Sequence, residues 1–112
     1  MPIAYLYVNK RVKIDETQSE RLIDDWSKIA NVNKEYCTIN VVENFIQVGT
    51  LYKVMVNLYL PSLWEEDDIR KIQKSLFESI VNNLDIEPND VFIMTSVIQS
   101  GHVLDKGTLE EW

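Results

Sequence analysis

The sequence predicts an α/β fold in which two similar β-α-β units form a four-stranded mixed sheet, with both helices on one face and a short C-terminal ribbon. Strand, helix and strand patterns occur in this order twice within 112 residues. The two halves also agree in element length and apolar phase at an offset of 52 to 54 residues, which indicates internal duplication. We expect a single domain over residues 1–112, with the units at about 2–49 and 51–98 and a tail at 99–112.

The first unit opens with an uncharged run of β-branched and aromatic residues at Ile3–Val8, which predicts a buried strand. Asp15, followed three residues later by Gln18, resembles a capping box, so a helix is expected to begin there. Apolar residues then recur at helical spacing, namely Leu22, Ile23, Trp26, Ile29 and Ala30. Residues 31–35 break this helix.

Two further strands are predicted on either side of the middle of the sequence. The first is predicted at Cys37–Val42 and is expected to trail through residues 44–48 to a turn at Gly49. The second is predicted at Tyr52–Leu60, where alternate residues are apolar, which is the period of a strand. Pro61 is expected to end it.

The second unit continues with Ser62 and Glu65, whose spacing predicts another capping box at the start of a helix. The apolar stripe of this helix comprises Ile69, Ile72, Leu76, Phe77, Ile80, Val81 and Leu84. A loop at 85–90 leads to a fourth strand at Val91–Ile98. The tail at 100–109 has two glycines around a short apolar pair, which predicts a ribbon that docks either on its own chain or on a neighbouring subunit.

Charge and composition exclude several classes of function. A net charge of -7 argues against nucleic-acid binding. No apolar run reaches the roughly 18 residues of a membrane span, and the N-terminus lacks the pattern of a signal peptide, so we expect a cytoplasmic protein without membrane contact. The single Cys37 is interpreted as a buried apolar residue. Because His102 is the only histidine, no histidine triad or metal site is expected.

A basic loop stands out on this acidic chain. Lys10, Arg11 and Lys13 are the only charged residues among the first fourteen. Two interpretations remain open: ordinary solvated surface, or an anion-binding site near the N-terminus.

The predicted sheet has one face that the helices do not cover. Its strands carry few charges apart from Lys53 and Glu43, so that face is apolar or weakly polar. An exposed patch of this kind usually marks an interface. We therefore predict a homo-oligomer in which the bare sheet faces pack around a common axis.

The chain also resembles the tautomerase superfamily, the group that contains 4-oxalocrotonate tautomerase and macrophage migration inhibitory factor. The resemblance lies in the start Met1-Pro2-Ile3 that opens directly into a strand, in the doubled β-α-β layout and in the chain length. The segment Ile86–Ile93 is similar to the family's approach to its last core strand. The resemblance covers residues 2–98 and implies a trimer and a cofactor-free isomerase that moves a proton in a small 2-oxo or enol carboxylic acid.

The resemblance further implies that Met1 is removed and that the secondary amine of Pro2 is the catalytic base. An α-amino group has a reference pKa of about 7.7–8.0, and burial or nearby cations lower that pKa. A base with a pKa near neutrality suits proton transfer between carbon and oxygen. Lys10, Arg11 and Lys13 are expected to hold a carboxylate or a developing enolate.

Four substrate-binding residues follow from the same resemblance. Arg11 stands where the family's loop arginine grips the substrate carboxylate. Lys34, displaced by about two positions, and Tyr36 correspond to residues that line the family's pocket. Phe92 corresponds to an aromatic near the start of the last core strand, without its phenolic hydroxyl.

Two alternatives remain open. The first is an inactive interaction or structural module, in which Pro2 is blocked or is only a rigid residue before a strand. It is favoured because residues 61–64 contain no arginine and Arg70 is the only arginine of the second half, which also argues against the family's hydration and decarboxylation chemistries. The second is a ferredoxin-like sheet that binds a small ligand, which would differ in strand order.

Overall fold

The computed structural model describes residues 1–43 and 45–112. The strands are β1 (Ile3–Val8), β2 (Thr38–Val42), β3 (Val54–Pro61), β4 (Val91–Ile98), β5 (Val103–Asp105) and β6 (Thr108–Glu110). The helices are α1 (Glu16–Ala30) and α2 (Glu66–Leu84). Short 3-10 turns at Lys34–Tyr36 and Pro88–Asp90 lead into β2 and β4.

The first four strands form one mixed sheet in the order β2-β1-β3-β4. β1 pairs parallel with β2, and β3 pairs parallel with β4, so each β-α-β unit contributes two adjacent strands. β1 and β3 pair antiparallel, with Ile3 opposite Tyr59 and Val8 opposite Val54, which relates the two units by a pseudo-twofold axis. The predicted fold class is confirmed. The ferredoxin-like alternative is excluded, because that fold splits the two strands of each unit apart.

The core lies between the sheet and the two helices. Alternate residues of β1 and β3 are buried against the helices, namely Ala4, Leu6, Val8, Val54, Val56, Leu58 and Leu60. The helices contribute Leu22, Trp26, Ile72, Leu76, Ile80 and Leu84. The Trp26 indole donates a hydrogen bond to the backbone oxygen of Ile72 at 3.2 Å and so joins α1 to α2. Ile29, predicted to belong to the stripe, is 51% exposed in the last turn of α1, where Ser27 is buried instead.

The two helices begin in different ways. Asp15 caps α1 as predicted: its Oδ1 accepts a hydrogen bond from the Gln18 nitrogen at 2.7 Å, and Gln18 Oε1 accepts one from the Asp15 nitrogen at 3.0 Å. The capping box predicted for Ser62 and Glu65 is wrong. Glu65 is itself the N-cap of α2, and its side chain makes no capping hydrogen bond. Ser62 instead accepts a hydrogen bond at Oγ from the Trp112 indole at 2.9 Å.

The second and third strands are shorter than predicted. β2 ends at Val42, and residues 45–48, which were expected to prolong it, lie outside any strand. Asn44, part of the same expected extension, lies outside the described residues. β3 begins two residues after Tyr52, because the Tyr52 nitrogen donates to Gln47 Oε1 at 2.9 Å rather than to a neighbouring strand.

The C-terminal tail folds back on its own chain through the predicted ribbon of β5 and β6. Gly101 and Gly107 both have a φ of 83°, a left-handed conformation that favours glycine. At the end of the tail, the Trp112 nitrogen donates to Ser100 Oγ at 2.8 Å, while its indole reaches Ser62 beyond β3. Within the single chain, the tail therefore docks on its own strands and loops.

The face of the sheet opposite the helices is uncovered within one chain. Tyr5, Asn57 and Met94 lie side by side across it on β1, β3 and β4, as the strand register requires. Tyr5 and Tyr59 pack edge to face with 5.9 Å between their ring centroids. Tyr5 is 38% exposed and Met94 is 56% exposed, so large apolar side chains face solvent in the single chain.

Candidate functional site

Pro2 lies at the buried start of β1. Its side chain is less than 2% exposed. Its carbonyl oxygen accepts a hydrogen bond from the Thr38 nitrogen at 3.0 Å, which ties the beginning of β1 to the beginning of β2. Because proline has no backbone N–H, it occupies this buried position without leaving a donor unpaired. Met1 precedes it and is 39% exposed.

The α-amino group next to Pro2 is partly desolvated. Burial lowers the pKa of the Met1 α-amine from 8.0, and the nearby Cys37 thiol acts in the opposite direction. Burial also raises the pKa of the Cys37 thiol from 9.0, whereas the α-amino group lowers it. An amine at this end of β1 is therefore biased towards its neutral form, which is the form that accepts a proton.

Lys34 and Tyr36 lie at the same end of the sheet as Pro2. Both belong to the 3-10 turn that leads into β2, and β2 pairs with β1 from Thr38 onwards. Lys34 Nζ lies 2.8 Å from Asp24 Oδ1, and this hydrogen bond with its charge raises the pKa of Lys34. The ammonium is thus shared with α1. Tyr36 is 62% exposed and offers its phenol to solvent.

The tail completes the surroundings of the N-terminus with an aromatic residue that the sequence interpretation missed. A small, largely apolar cavity of about 50 Å³ is lined by Met1, Ile3, Tyr59, Leu60, Pro61, Ile98, Val103 and Trp112. Trp112 reaches it because its indole is held by Ser62, 50 residues earlier in the chain. The sequence showed a tryptophan at the end of the predicted ribbon, but it could not show that this tryptophan binds Ser62, because Ser62 is distant in the sequence.

Arg11 and Phe92 lie at the opposite end of β1. A strand rises about 3.3 Å per residue, so β1 separates the two ends by roughly 17 Å. Arg11 follows β1 and lines a cavity of about 460 Å³ together with Lys10, Lys53 and Asp90. The Phe92 ring packs against Tyr52, another residue of that cavity, with 5.2 Å between ring centroids. Lys13 lines a separate groove.

Within one chain, Pro2, Lys34 and Tyr36 therefore lie at one end of the sheet, whereas Arg11 and Phe92 lie at the other. The duplication explains the separation. At the offset of 52 residues, the second-half counterpart of Arg11 is Leu63, which follows β3 and so lies towards the Pro2 end of the antiparallel pair. The antiparallel strands thus place a leucine, rather than an arginine, after β3 near Pro2.

Two further observations concern the described part of the chain. Within residues 1–43 and 45–112, no three His, Cys, Asp or Glu side chains lie close enough together to hold a metal ion. None of the helices described there is long and apolar enough to cross a membrane.

This arrangement of sheet, helices and ribbon is the fold of the tautomerase superfamily, as the sequence resemblance predicted. Native fused 4-OT superimposes with a TM-score of 0.79 at 13% identity over 96% of this chain and 94% of its own. R7 fused 4-OT, an asymmetric trimer, gives 0.78 at 14% identity over 96% and 94%. Macrophage migration inhibitory factor of Toxoplasma gondii gives 0.71 at 11% identity over 96% and 98%. No protein-family profile and no curated protein sequence matches the chain.

Proposed function

We propose that this protein is a cofactor-free cytoplasmic tautomerase that moves a proton within a small 2-oxo or enol carboxylic acid. The observation that carries the proposal is the place of Pro2, buried at the start of β1 in a tautomerase fold and beside an α-amine whose pKa burial lowers. Removal of Met1 turns the Pro2 nitrogen into a secondary amine in these surroundings. The neutral amine accepts the proton from the enol oxygen and returns a proton to carbon, so the base is regenerated.

The substrate-binding roles of Lys34, Tyr36, Arg11 and Phe92 belong to the same proposal. Lys34 and Tyr36 act beside the Pro2 of their own chain, where the lysine attracts the carboxylate and the phenol donates a hydrogen bond. Arg11 and Phe92 lie at the far end of β1, so they reach a Pro2 only when that Pro2 belongs to a neighbouring copy. An assembly that joins unlike ends of two chains therefore completes the site.

The uncovered sheet face supports such an assembly. It exposes large side chains such as Tyr5 and Met94, which a second copy would bury. Fused 4-OT structures with the same fold are described as symmetric and asymmetric trimers. We therefore propose a homotrimer packed through this face.

The test is the ketonisation of phenylenolpyruvate, followed by ultraviolet absorbance, on protein whose loss of Met1 has been verified by mass. We expect turnover by the wild type and a fall in kcat/KM of about 100-fold or more for Pro2→Ala, which is the usual range for loss of a general base. Pro88→Ala is the matched control, because Pro88 lies in the exposed turn before β4. Unchanged turnover in Pro2→Ala contradicts the assignment of the base.

An inactive interaction module is the second candidate, and a specific observation favours it. Leu63 stands where the duplicated pattern would provide a second loop arginine, and the Lys34 ammonium near Pro2 is already paired with Asp24. Correctly processed wild-type protein that forms the oligomer but does not ketonise phenylenolpyruvate would support this candidate over the enzyme.

A further inference from the structure

The C-terminal tail is joined to the rest of the chain at one polar point. Residues 101–112, which we call the strap, contain β5 and β6, and these two strands pair only with each other. Among the residues that the structure describes, a single hydrogen bond links the strap to any residue before Gln99. It runs over 2.9 Å from the Trp112 indole to Ser62 Oγ.

Through this hydrogen bond, the strap closes the small cavity beside the N-terminus. Met1 and Ile3, the two neighbours of Pro2 in the chain, line this cavity together with Trp112. Its volume of about 50 Å³ is far below the roughly 300 to 1,000 Å³ of sites that hold small molecules. Because Met1 is bonded to the Pro2 nitrogen, removal of Met1 both enlarges the cavity and opens it towards that nitrogen.

Most of the cavity wall is fixed by strand pairing. Ile3 lies opposite Tyr59 in the antiparallel pair of β1 and β3, and Pro61 lies opposite Ile98 in the parallel pair of β3 and β4. Trp112, in contrast, follows β6 and is 39% exposed. One hydrogen bond contributes a net stability equal to about a two- to tenfold change in an equilibrium constant. The indole is therefore the part of the wall that yields to a ligand larger than the cavity.

The lining of this cavity is apolar. In the described part of the chain, it contains no charged side chain, and its only side-chain oxygen and nitrogen atoms belong to Tyr59 and Trp112. The Trp112 nitrogen is already bonded to Ser62. Leu63, which follows β3 at this end of the sheet, adds an exposed leucine rather than a cation. Because a buried charge without a partner is costly, the cavity suits an apolar group.

We propose that Trp112 is a specificity-determining residue of the Pro2 site and that the strap limits the apolar end of the substrate to about the size of one phenyl ring. The proposal rests on the tautomerase assignment, because it places the reacting atoms at the Pro2 nitrogen. The apolar end occupies the space that Met1 leaves and packs on the indole. The substrate class is thereby narrowed to 2-oxo or enol monocarboxylic acids with one small apolar substituent.

The experiment measures binding rather than turnover, so its result does not depend on the base. Calorimetry on protein without Met1 compares 3-phenylpropionate with 3-(2-naphthyl)propionate, two unreactive acids that differ by one fused ring. We expect the wild type to bind the phenyl acid about tenfold or more tightly than the naphthyl acid. Trp112→Ala is expected to remove most of this preference, because the wall is lost. Ser62→Ala is expected to reduce it about two- to tenfold, because the indole is released.

Two further serine variants serve as controls. Ser62→Thr keeps a hydroxyl that accepts from the indole, so we expect it to retain the wild-type preference. Ser19 is half-buried like Ser62, but its Oγ donates to the Asp15 oxygen at 2.9 Å on α1. Ser19→Ala therefore also removes a hydroxyl and its hydrogen bond, and it is expected to leave the preference unchanged.

A spectroscopic measurement shows whether the ligand meets the indole itself. In ¹⁵N-edited NMR, the Trp112 indole N–H signal, assigned with Trp112→Phe, is expected to shift when 3-phenylpropionate is added. The proposal is overturned by equal affinity of the wild type for both acids, by no binding of either acid, by an unchanged preference in Trp112→Ala and Ser62→Ala, or by an indole signal that does not move. Absence of phenylenolpyruvate turnover in protein that keeps the size preference counts against the tautomerase assignment alone.

Discussion

Cys37 is the point at which the N-terminus meets the core. The residue is 8% exposed, and its Sγ lies 3.7 Å from the Asn33 oxygen, so the interpretation of Cys37 as a buried apolar residue is confirmed. The charge of the nearby α-amino group acts on the pKa of this thiol and lowers it. The thiol therefore reports on the same desolvated surroundings that we assign to the Pro2 amine.

Replacing Cys37 by alanine is expected to have a pH-dependent effect on stability. Near neutral pH the variant loses buried contacts and about 1 kcal/mol of unfolding free energy. Burial raises the folded-state pKa of the thiol from 9.0, so the unfolded chain loses the proton first and wild-type stability falls as the pH rises above this value. The alanine variant has no thiol, so its stability does not fall for this reason as the pH rises.

The measurement is urea unfolding of both proteins at pH 7.5 and pH 10. We expect the stability difference to shrink at the higher pH. A difference that grows instead would mean that the fold stabilises the thiolate, which contradicts the desolvated environment of Cys37.

At the scale of elements, the apolar repeats of the sequence predicted the main strands and helices. Of the two predicted helix caps, only the one at α1 is present. Apolar alternation predicted which residues of β3 are buried, because a strand turns successive side chains to opposite faces. The capping box of Asp15 was predicted from a four-residue pattern that is complete within itself. Ser62 carried a similar pattern, but its hydroxyl is used by Trp112, and no local rule reveals a partner 50 residues away.

The two helix starts give a matched prediction. Asp15→Ala removes the Oδ1 acceptor of the Gln18 N–H, keeps the backbone N–H that donates to Gln18 Oε1, and is expected to lower the free energy of unfolding by about 1 kcal/mol. Glu65→Ala alters an N-cap whose side chain makes no capping bond, so we expect a change within about 0.5 kcal/mol. Chemical denaturation of both variants checks the contrast. Equal losses would show that charge at the helix start, rather than the hydrogen bonds, stabilises these helices.

At the scale of the whole molecule, strand pairing decides which residues meet. The sequence resemblance placed Pro2 and Arg11 in one site. Within one chain, however, the six-residue strand β1 lies between them and holds them at opposite ends of the sheet. The resemblance also grouped Lys34 and Tyr36 with Pro2, and these residues do lie at the same end of the sheet as Pro2, because β2 pairs in parallel with β1. The position of Arg11 relative to other copies depends on assembly, which no periodicity in one chain encodes.

The uncovered sheet face gives a prediction about that assembly. Met94→Lys places a charge on a position that is 56% exposed in the single chain, so it is expected to dissociate the oligomer while leaving the fold intact. Ile29→Lys is the control, because Ile29 is similarly exposed, at 51%, but lies on α1.

Light scattering coupled to size exclusion, with circular dichroism to verify folding, distinguishes the variants. We expect monomers for Met94→Lys and the wild-type mass for Ile29→Lys. An unchanged mass for both would remove the sheet face as the interface.

The antiparallel pairing of β1 and β3 has a consequence for how such a chain evolves. Two copies of a unit joined head to tail still share one terminal nitrogen, so duplication doubles the scaffold without doubling any chemistry that depends on a free chain end. The second copy cannot provide a terminal amine, so it does not need a proline at its start. The residue there that corresponds to Pro2 is Val54. Gene fusion in this architecture therefore halves the number of possible terminal-amine sites per β-α-β unit.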